Sequence, residues 1–275
     1  MAWRDSLTTN GYVVIPCLNE DQVAYGKSLF DSWWDANVMA RKGVVPHGVL
    51  KHYRIGHTGF AWWCRTSPEV QAVFAELWGT PDLVVSFDGV CYFPPGLRRR
   101  NTNWLHVDQA PNNPHFDCVQ GFVAFTENSE ACLTLVPNSH LLFAGYMQSR
   151  GLNHANNWQR VEWDLQDTIK VATKPGDLVL WDSRIFHQNS YGAEERLVQY
   201  LCYLPRHRAT ASDLVKRVRY FQEKRTTSHW PIRIRVNGLQ PQVFGKKEKL
   251  IDYDSVVDPG AHLLQELAHE INILL

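Results

Sequence analysis

Residues 174–206 read KPGDLVLWDSRIFHQNSYGAEERLVQYLCYLPR, and this stretch holds two short apolar runs separated by loop-forming residues. A turn at 174–177 precedes the run 178–181, and Arg196 opens the run RLVQYLCYL. Runs of this length, rich in β-branched and aromatic residues and bounded by Gly, Asp and Asn, predict β-strands. His187, which lies between the two runs, and Arg196 are the residues here that are most able to bind a ligand.

The same β-rich pattern extends over most of the middle of the chain. Six short runs of this kind occur: LVVSFDGVCYF, CVQGFVAFT, ACLTLVP, DTIKVAT, DLVLW and RLVQYLCYL. Their number and spacing predict an antiparallel sandwich or barrel. Helical patterns come before and after them, so we expect a mainly β protein with flanking helices.

The flanking helices have recognisable ends. Asn19, with Gln22 three residues later, predicts a capping box at the start of one helix, and Pro68 and Gly79 mark the start and end of another. ASDLVKRVRYFQ predicts a helix after the β region, and Asp258 predicts the cap of a last one. The last helix has an apolar stripe, which we expect to dock onto the domain or to form a dimer contact: Leu263, Leu264, Leu267, Ile271 and Leu274.

Composition narrows the class of protein. The chain has 275 residues, of which 44% are hydrophobic, enough for one large domain. Its six cysteines are scattered without a CxxC motif, which favours buried, reduced thiols. The opening MAWRDSLTTN lacks the layout of a signal peptide, and no apolar run reaches membrane-spanning length. These features predict a cytoplasmic (intracellular) protein with no membrane association.

Charge is unevenly distributed although the net charge is zero. Residues 206–249 contain twelve Lys or Arg and three Asp or Glu. Such a segment is typical of a solvated basic face, and binding of an anionic small substrate is the main alternative. Nucleic acid is an unlikely partner, because its binding depends on many phosphate contacts and the whole protein is not basic.

Two His-x-Asp pairs are candidate metal ligands. With 12 histidines and 28 acidic residues, His106–Asp108 and His115–Asp117 are no more than chance provides. On a strand, residues i and i+2 share a face, so either pair could bind an ion or simply form a hydrogen bond. His187 would complete a 2-His-1-carboxylate set, which leaves three positions open and suits non-haem Fe(II) oxygenases.

Combined, these segments resemble a known family. WLHVDQ, CVQGFVAFTENSEACLTLVPNSH and KPGDLVLWDSRIFHQNS with Arg196 resemble the phytanoyl-CoA dioxygenase family over roughly residues 8–205. That family comprises Fe(II)- and 2-oxoglutarate-dependent oxygenases on a double-stranded β-helix, a cupin-like jelly roll. The order of the predicted elements, taken together with this resemblance, predicts a single domain, 1–275, with the jelly-roll core at about 82–205, a helical part at 1–81 and a helical basic extension at 206–275. The extension has no counterpart in the family and could be a separable helical appendage. The chain departs from the family at 130–132 and at Asn138, where small residues and glycine are usual.

The resemblance assigns roles to residues. It implies that His106, Asp108 and His187 hold Fe(II), that Arg196 binds the far carboxylate of 2-oxoglutarate, and that O2 completes the site. It excludes His115 and Asp117 as ligands. Further residues are expected near the co-substrate, namely Gln120, Asn103 and Thr134, and near the substrate, namely Arg184, Gln109 and Arg100. The alternatives are that Arg184 pairs with Asp182, that Gln109 orients the loop after Asp108, and that Arg100 lies in a solvated loop. Trp181 is expected in the core of the barrel.

The implied activity is oxidation of a C–H bond. We expect hydroxylation of a small organic substrate, anionic substrates included, with release of succinate and CO2. Asp108 favours hydroxylation over halogenation, because related halogenases lack that carboxylate; desaturation or ring closure stays open. The alternatives are modification of a protein or nucleic acid through the basic segment, with Arg233, Arg235, Lys246 and Lys247, and a non-catalytic binding protein. The protein is expected to be a monomer or a homodimer.

Overall fold

The computed structural model describes residues 2–42, 48–97, 99–241 and 250–275. The helices within them are α1 (Ala2–Asn10), α2 (Glu20–Ala36), α3 (Val38–Lys42), α4 (Gly59–Thr66), α5 (Pro68–Trp78), α6 (Ser139–Ser149), α7 (Ala211–Gln222), α8 (Leu263–Glu266) and α9 (Ala268–Leu274). The strands are β1 (Tyr12–Pro16), β2 (Val49–Leu50), β3 (Leu83–Val85), β4 (Val90–Phe93), β5 (His106–Val107), β6 (Val119–Ala124), β7 (Asn128–Leu135), β8 (Gln159–Arg160), β9 (Ile169–Thr173), β10 (Asp177–Asp182), β11 (His187–Asn189) and β12 (Arg196–Pro205).

The chain divides into two compact units. The first contains residues 1–16 and 93–197, and the second contains residues 17–92 and 198–275. In the first unit, β1, β10 and β6 pair in that order, and a second sheet has the order β8-β5-β11-β7-β9. The described pairings are antiparallel, so the prediction of antiparallel sheets with flanking helices is confirmed. Assignment of the whole chain to a single domain stays a prediction.

Alternation along the second sheet separates an apolar face from a polar one. One face packs against α6 through a cluster of buried apolar side chains: Leu105, Val107, Val136, Phe143, Met147, Val161 and Phe186. Successive residues of a strand point to opposite faces. His106, between Leu105 and Val107, and His187, next to Phe186, therefore lie on the face turned away from this cluster.

Asn138 shows why the chain can depart from the family's glycine. It precedes α6 and has a φ of 63° and a ψ of −1°, in the left-handed region. Glycine enters this region freely, and asparagine is among the few other residues that do so readily. The backbone N–H of Asn138 also donates to the Asn10 carbonyl at 3.0 Å, so the turn is tied to α1.

The helical second unit confirms most of the predicted helix ends. Asn19 and Gln22 form both bonds of the capping box of α2. Pro68 is the first residue of α5, and Gly79 ends it with a φ of 71°. The segment ASDLVKRVRYFQ is α7, capped by Thr210. The six cysteines are free and five of them are buried, as the scattered spacing predicted.

The prediction of one last helix capped by Asp258 is wrong. The segment forms two short helices, α8 and α9, with the break at Leu267. Asp258 accepts the backbone N–H groups of Gly59 and Gly260 instead, so its carboxylate joins this segment to the start of α4. The stripe still docks within the unit, because Leu263, Ile271 and Leu274 are buried.

Several arginines of the basic segment are used within the fold. Arg217 is fully buried and donates to the carbonyl oxygens of Val85, Pro231, Leu274 and Leu275. Arg206 pairs with Asp82 at 2.8 Å. Lys246 and Lys247 lie outside the described residues. Among the described helices, none is both long and apolar enough to cross a membrane.

A buried histidine makes the second unit sensitive to acid. His57 contacts the rings of Trp62, Phe87 and Phe221, and its Nε2 lies 2.9 Å from the Arg225 carbonyl. Burial and the nearby Arg65 guanidinium lower the pKa of His57 to about 3. The unfolded chain binds this proton near pH 6.5 and the folded chain does not. The folded state therefore loses stability as the pH falls below about 6.5.

We expect this one histidine to cost about 2 kcal/mol of unfolding free energy at pH 5 relative to pH 7. The measurement is urea unfolding of the metal-free protein at both pH values, for wild type, His57→Gln and the exposed-site control His262→Gln. His57→Gln should have a smaller difference between the two pH values, and His262→Gln should match wild type. Equal pH dependence in all three proteins would contradict the prediction.

Candidate metal centre

Strand pairing in the second sheet brings the three predicted ligands together. His106 on β5 is in register with His187 on β11. Asp108 follows β5, and its backbone N–H donates to the Ser183 carbonyl at 3.0 Å. The Asp108 Oδ2 atom lies 3.6 Å from His106 Nε2 and 3.1 Å from His187 Nε2. The three side chains are buried and offer one ligand atom each within 4.8 Å of one another.

Backbone carbonyls orient both imidazoles. His106 Nδ1 lies 3.3 Å from the Trp104 carbonyl, and His187 Nδ1 lies 2.9 Å from the Ile185 carbonyl. An Nδ1–H that donates to a carbonyl leaves Nε2 as the basic nitrogen that binds a metal. Burial lowers the pKa of His106 against the opposing attraction of Asp108. A neutral imidazole is the form that a metal ion requires.

Gln120 contacts the ligand carboxylate. It lies on β6 of the first sheet, and its Nε2 donates to Asp108 Oδ2 at 3.1 Å. The structure places the Gln120 amide on the candidate ligand Asp108, and a contact of Gln120 with the co-substrate stays a prediction. There it orients the carboxylate, as outer partners of metal ligands commonly do.

Gln120→Leu is expected to weaken Fe(II) binding by about ten- to 100-fold, because outer-shell partners of metal ligands contribute on that scale. The loss should appear in anaerobic Fe(II) titration without any co-substrate. Gln166→Leu, at an exposed position of the same unit, is the control and should bind Fe(II) like wild type. Unchanged affinity in Gln120→Leu would mean that the amide does not orient the ligand.

Arg196, the first residue of β12 in the first sheet, is a buried cation. It is 1% exposed, and its Nη1 donates to Asn189 Oδ1 at 2.8 Å. The guanidinium carbon lies 6.0 Å from the Phe93 ring centre and 5.5 Å from that of Phe122. Its Nη2 is buried and has no hydrogen-bond partner among the described residues. A buried charged donor in this state is able to bind an acceptor that a ligand supplies.

Trp181 provides a second donor of this kind. It pairs with Gln120 across β10 and β6, and its ring centre lies 5.7 Å from that of His187. Its indole N–H is buried and likewise has no partner within the described part of the chain. The predicted barrel-core residue therefore also offers a donor beside the candidate metal centre.

A protein-family model matches the sequence of this chain. The model of the phytanoyl-CoA dioxygenase (PhyH) family matches residues 7–190, more than half of the chain. The chain belongs to the phytanoyl-CoA dioxygenase family. The resemblance read from WLHVDQ and from the segment around His187 is thereby confirmed. The match covers His106, Asp108 and His187 and ends before Arg196.

Individual proteins also resemble this member of the family. Ava biosynthesis cluster protein O of Aspergillus versicolor is 31% identical over 271 residues, covering 84% of this chain and 86% of the relative. The solved structure of apo ThoJ, a non-heme monooxygenase, has a TM-score of 0.53 at 16% identity and covers 73% of this chain and 76% of its own.

Two further solved structures were determined with ligands. HygX from Streptomyces hygroscopicus, with nickel and 2-oxoglutarate bound, has a TM-score of 0.52 at 14% identity, covering 74% of this chain and 86% of its own. The epimerase SnoN, in complex with Fe3+, alpha ketoglutarate and nogalamycin RO, has a TM-score of 0.51 at 18% identity, covering 74% and 82%. At these identities the likeness shows the fold, and the predicted jelly roll is confirmed.

Other residues expected at the phytanoyl-CoA dioxygenase site have different roles. Gln109 is fully buried; its Oε1 accepts from Ser183 Oγ at 2.6 Å, and its Nε2 donates to the carbonyls of Asn113 and His115. Gln109 therefore fixes the loop after Asp108, as the alternative interpretation predicted, and its amide is not available to a substrate. The rival ligands His115 and Asp117 lie in this loop, and the described three-residue metal cluster does not include them.

The two remaining co-substrate candidates do not face the centre as expected. Asn103 donates to the Trp163 carbonyl and accepts from the Leu105 N–H, so both ends of its amide are occupied by the backbone. Thr134 pairs with Gln188, while its neighbour Leu135 pairs with His187. Since neighbours on a strand face opposite sides, Thr134 lies on the face turned away from His187.

The substrate candidates Arg184 and Arg100 are also placed elsewhere. Arg184 forms a bidentate pair with Asp182 and donates to the Pro114 carbonyl, so its charge is used within the fold. Arg100 is exposed and lines an open surface cleft with Tyr191. Arg98, the first residue of the Arg98–Arg100 run, lies outside the described residues.

Three residues beside the centre were not predicted. Asn189 holds Arg196, and the rings of Trp104 and Trp158 stack on His106. Alternation contained a signal for two of them, because Asn189 is two residues after His187 and Trp104 is two before His106. Nothing in the sequence indicated Trp158, since the adjacent strand β8 has only two residues.

Proposed function

We propose that this protein is an Fe(II)- and 2-oxoglutarate-dependent oxygenase that hydroxylates a small organic substrate. The observation that carries the proposal is the buried set of His106, Asp108 and His187. Two neutral imidazoles and one carboxylate are the donors that non-haem Fe(II) oxygenases use, and they leave adjacent positions for co-substrate and O2. When bound, the iron with 2-oxoglutarate and O2 supplies the oxidising chemistry, which releases succinate and CO2.

The residues around this set have distinct tasks. Arg196 binds the far carboxylate of 2-oxoglutarate through Nη2, because Asn189 already occupies Nη1. Phe93 and Phe122 flank the guanidinium and exclude water, which strengthens a charge-assisted hydrogen bond. The free indole N–H of Trp181 supplies a further donor to the bound co-substrate. Arg196 Nη2 and the Trp181 indole N–H would then each have an acceptor on the bound co-substrate.

Hydroxylation is the outcome that we propose for the substrate. Asp108, oriented by Gln120, would be the third protein ligand of the iron, which would leave no vacant ligand position for a halide. Oxygen transfer predicts a product that contains one more oxygen atom, derived from O2 and detectable by mass spectrometry with labelled O2. A product of unchanged oxygen content would favour epimerisation, desaturation or ring closure at the same centre.

The test of the proposed function is anaerobic titration of the metal-free protein with Fe(II) and 2-oxoglutarate. A visible charge-transfer band from iron to the keto acid should appear in wild type. It should be absent in His106→Ala and need more 2-oxoglutarate in Arg196→Ala. A folded wild-type protein without this band would contradict the proposal and favour a jelly roll that binds another metal or acts as a binding protein.

A further inference from the structure

Two indole rings stand beside the metal ligand His106. The Trp104 ring stacks on the imidazole with centres 4.9 Å apart and planes 13° apart. The Trp158 ring stacks on it at 5.9 Å and 28°. Trp104 lies two residues before His106, and Trp158 directly precedes β8, the strand that pairs with β5. The candidate iron site therefore has an aromatic border on this side.

Trp158 is exposed although it lies against a buried centre. Its side chain is 54% exposed, in contrast with the fully buried Trp33, Trp62 and Trp181. Fold stability gains little from a large apolar ring that faces water, and exposed aromatic surface beside a site commonly marks where a ligand binds. One ring face of Trp158 lies against His106, and the exposed part of the indole is available to a molecule that binds beside the candidate iron site.

Hydrogen bonds hold Trp158 in this position. Asn157 Oδ1 accepts the Ala110 N–H at 3.2 Å, and the Asn112 N–H donates to the His154 carbonyl at 3.4 Å. Both bonds tie the segment before Trp158 to the loop that follows the ligand Asp108. The chain on the N-terminal side of Trp158 is therefore anchored to the loop that follows a metal ligand, and the ring contact with His106 places the indole beside the centre.

A cation lies next to this surface. Arg160 on β8 is in register with His106, so the two side chains share a sheet face. Arg160 is exposed, and its Nη2 donates to the Asn103 carbonyl at 2.8 Å. Its guanidinium has five N–H donors, so it can also bind an anionic group close to the aromatic border.

From these contacts we infer that the substrate is a planar, unsaturated ring system with an anionic group. The ring stacks on Trp158, and Arg160 binds the anion. This inference rests on the proposed function, because it names the substrate class of the same iron site. It assigns specificity to the ring shape through Trp158 and to the charge through Arg160.

The test uses three probes: 2-naphthoate, its saturated counterpart decalin-2-carboxylate, and the uncharged 2-naphthalenemethanol. Their dissociation constants are measured by anaerobic calorimetry on protein loaded with Fe(II) and 2-oxoglutarate. The charge-transfer band is recorded before and after, so that loss of the band reports failure of the proposed function. With the band intact, probe binding tests the substrate class alone.

We expect 2-naphthoate to bind wild type more tightly than either other probe. Trp158→Ala should weaken 2-naphthoate about tenfold, and Trp158→Phe should weaken it less. Arg160→Gln should weaken 2-naphthoate about tenfold and leave 2-naphthalenemethanol unchanged. The control is Tyr25→Ala, which removes a 43% exposed ring from α2 and should have no effect.

Three results would overturn the inference while the charge-transfer band persists. The first is no binding of 2-naphthoate to wild type. The second is equal binding of decalin-2-carboxylate, which would mean an apolar site without preference for a planar ring. The third is unchanged binding of 2-naphthoate in Trp158→Ala and Arg160→Gln.

Discussion

Replacement of Asp108 by alanine is expected to abolish Fe(II) binding and all 2-oxoglutarate turnover. The change removes the anionic ligand and leaves two imidazoles and an amide, Gln120, without its carboxylate partner. An outer-shell partner alone contributes about ten- to 100-fold in metal affinity, so loss of a ligand should cost more than about 100-fold. Metal content after anaerobic loading and gel filtration measures this loss directly.

The chain contains its own control for this experiment. Asp117 belongs to the other His-x-Asp pair, and its Oδ2 accepts from Asn113 Nδ2 at 2.8 Å. Asp117→Ala should retain iron like wild type. Equal iron loss in Asp108→Ala and Asp117→Ala, or iron retention in both, would be inconsistent with the ligand set proposed here.

Arg196→Met is expected to raise the dissociation constant of 2-oxoglutarate by about 100-fold or more. Removal of one partner of a buried ion pair costs about 3–5 kcal/mol, because the other charge is then buried without compensation. Fe(II) binding itself should persist, since Arg196 is not among the three ligands. The affinity is read from the charge-transfer band as a function of 2-oxoglutarate concentration.

Two further variants make this prediction specific. Arg196→Lys should recover little affinity, because the compact ammonium lacks the rigid planar fork with which the guanidinium binds Asn189 through one nitrogen and a second acceptor through the other. Arg184→Gln removes an arginine that is already paired with Asp182 and should leave 2-oxoglutarate binding near the wild-type value. A 2-oxoglutarate affinity in Arg196→Met equal to that of Arg184→Gln would exclude Arg196 as the carboxylate partner.

Local sequence patterns were sufficient to predict the ends of several helices and the candidate metal ligands. The capping residues Asn19 and Gln22 and the terminator Gly79 act within a few residues of chain, so the helices they bound could be predicted. The ligands were also recognisable, because a His-x-Asp pair on a strand and a later histidine form a pattern with few alternatives once the family is identified.

The register in which distant strands pair could not be predicted from the sequence in the same way. Thr134 was expected near the co-substrate, yet its face depends on the pairing of β7 with β11, and the pairing of β7 with β9 contains an irregularity between Asn128 and Leu133. One residue of slip reverses every side chain of a strand. The predictions of a substrate contact for Gln109 and a co-substrate contact for Asn103 failed for a related reason. Their side-chain amides bind backbone groups that come close to them only in the folded loops.

The pairing of β5 with β11 is short, since the two strands contain two and three residues and are in register at His106 and His187. Strand pairing of this length contributes little to the free energy of folding by itself. An ion held by both imidazoles and by Asp108 would cross-link the two strands. Metal binding and the pairing of β5 with β11 would therefore be thermodynamically coupled. Iron binding would then also contribute to the stability of the pairing between these two strands.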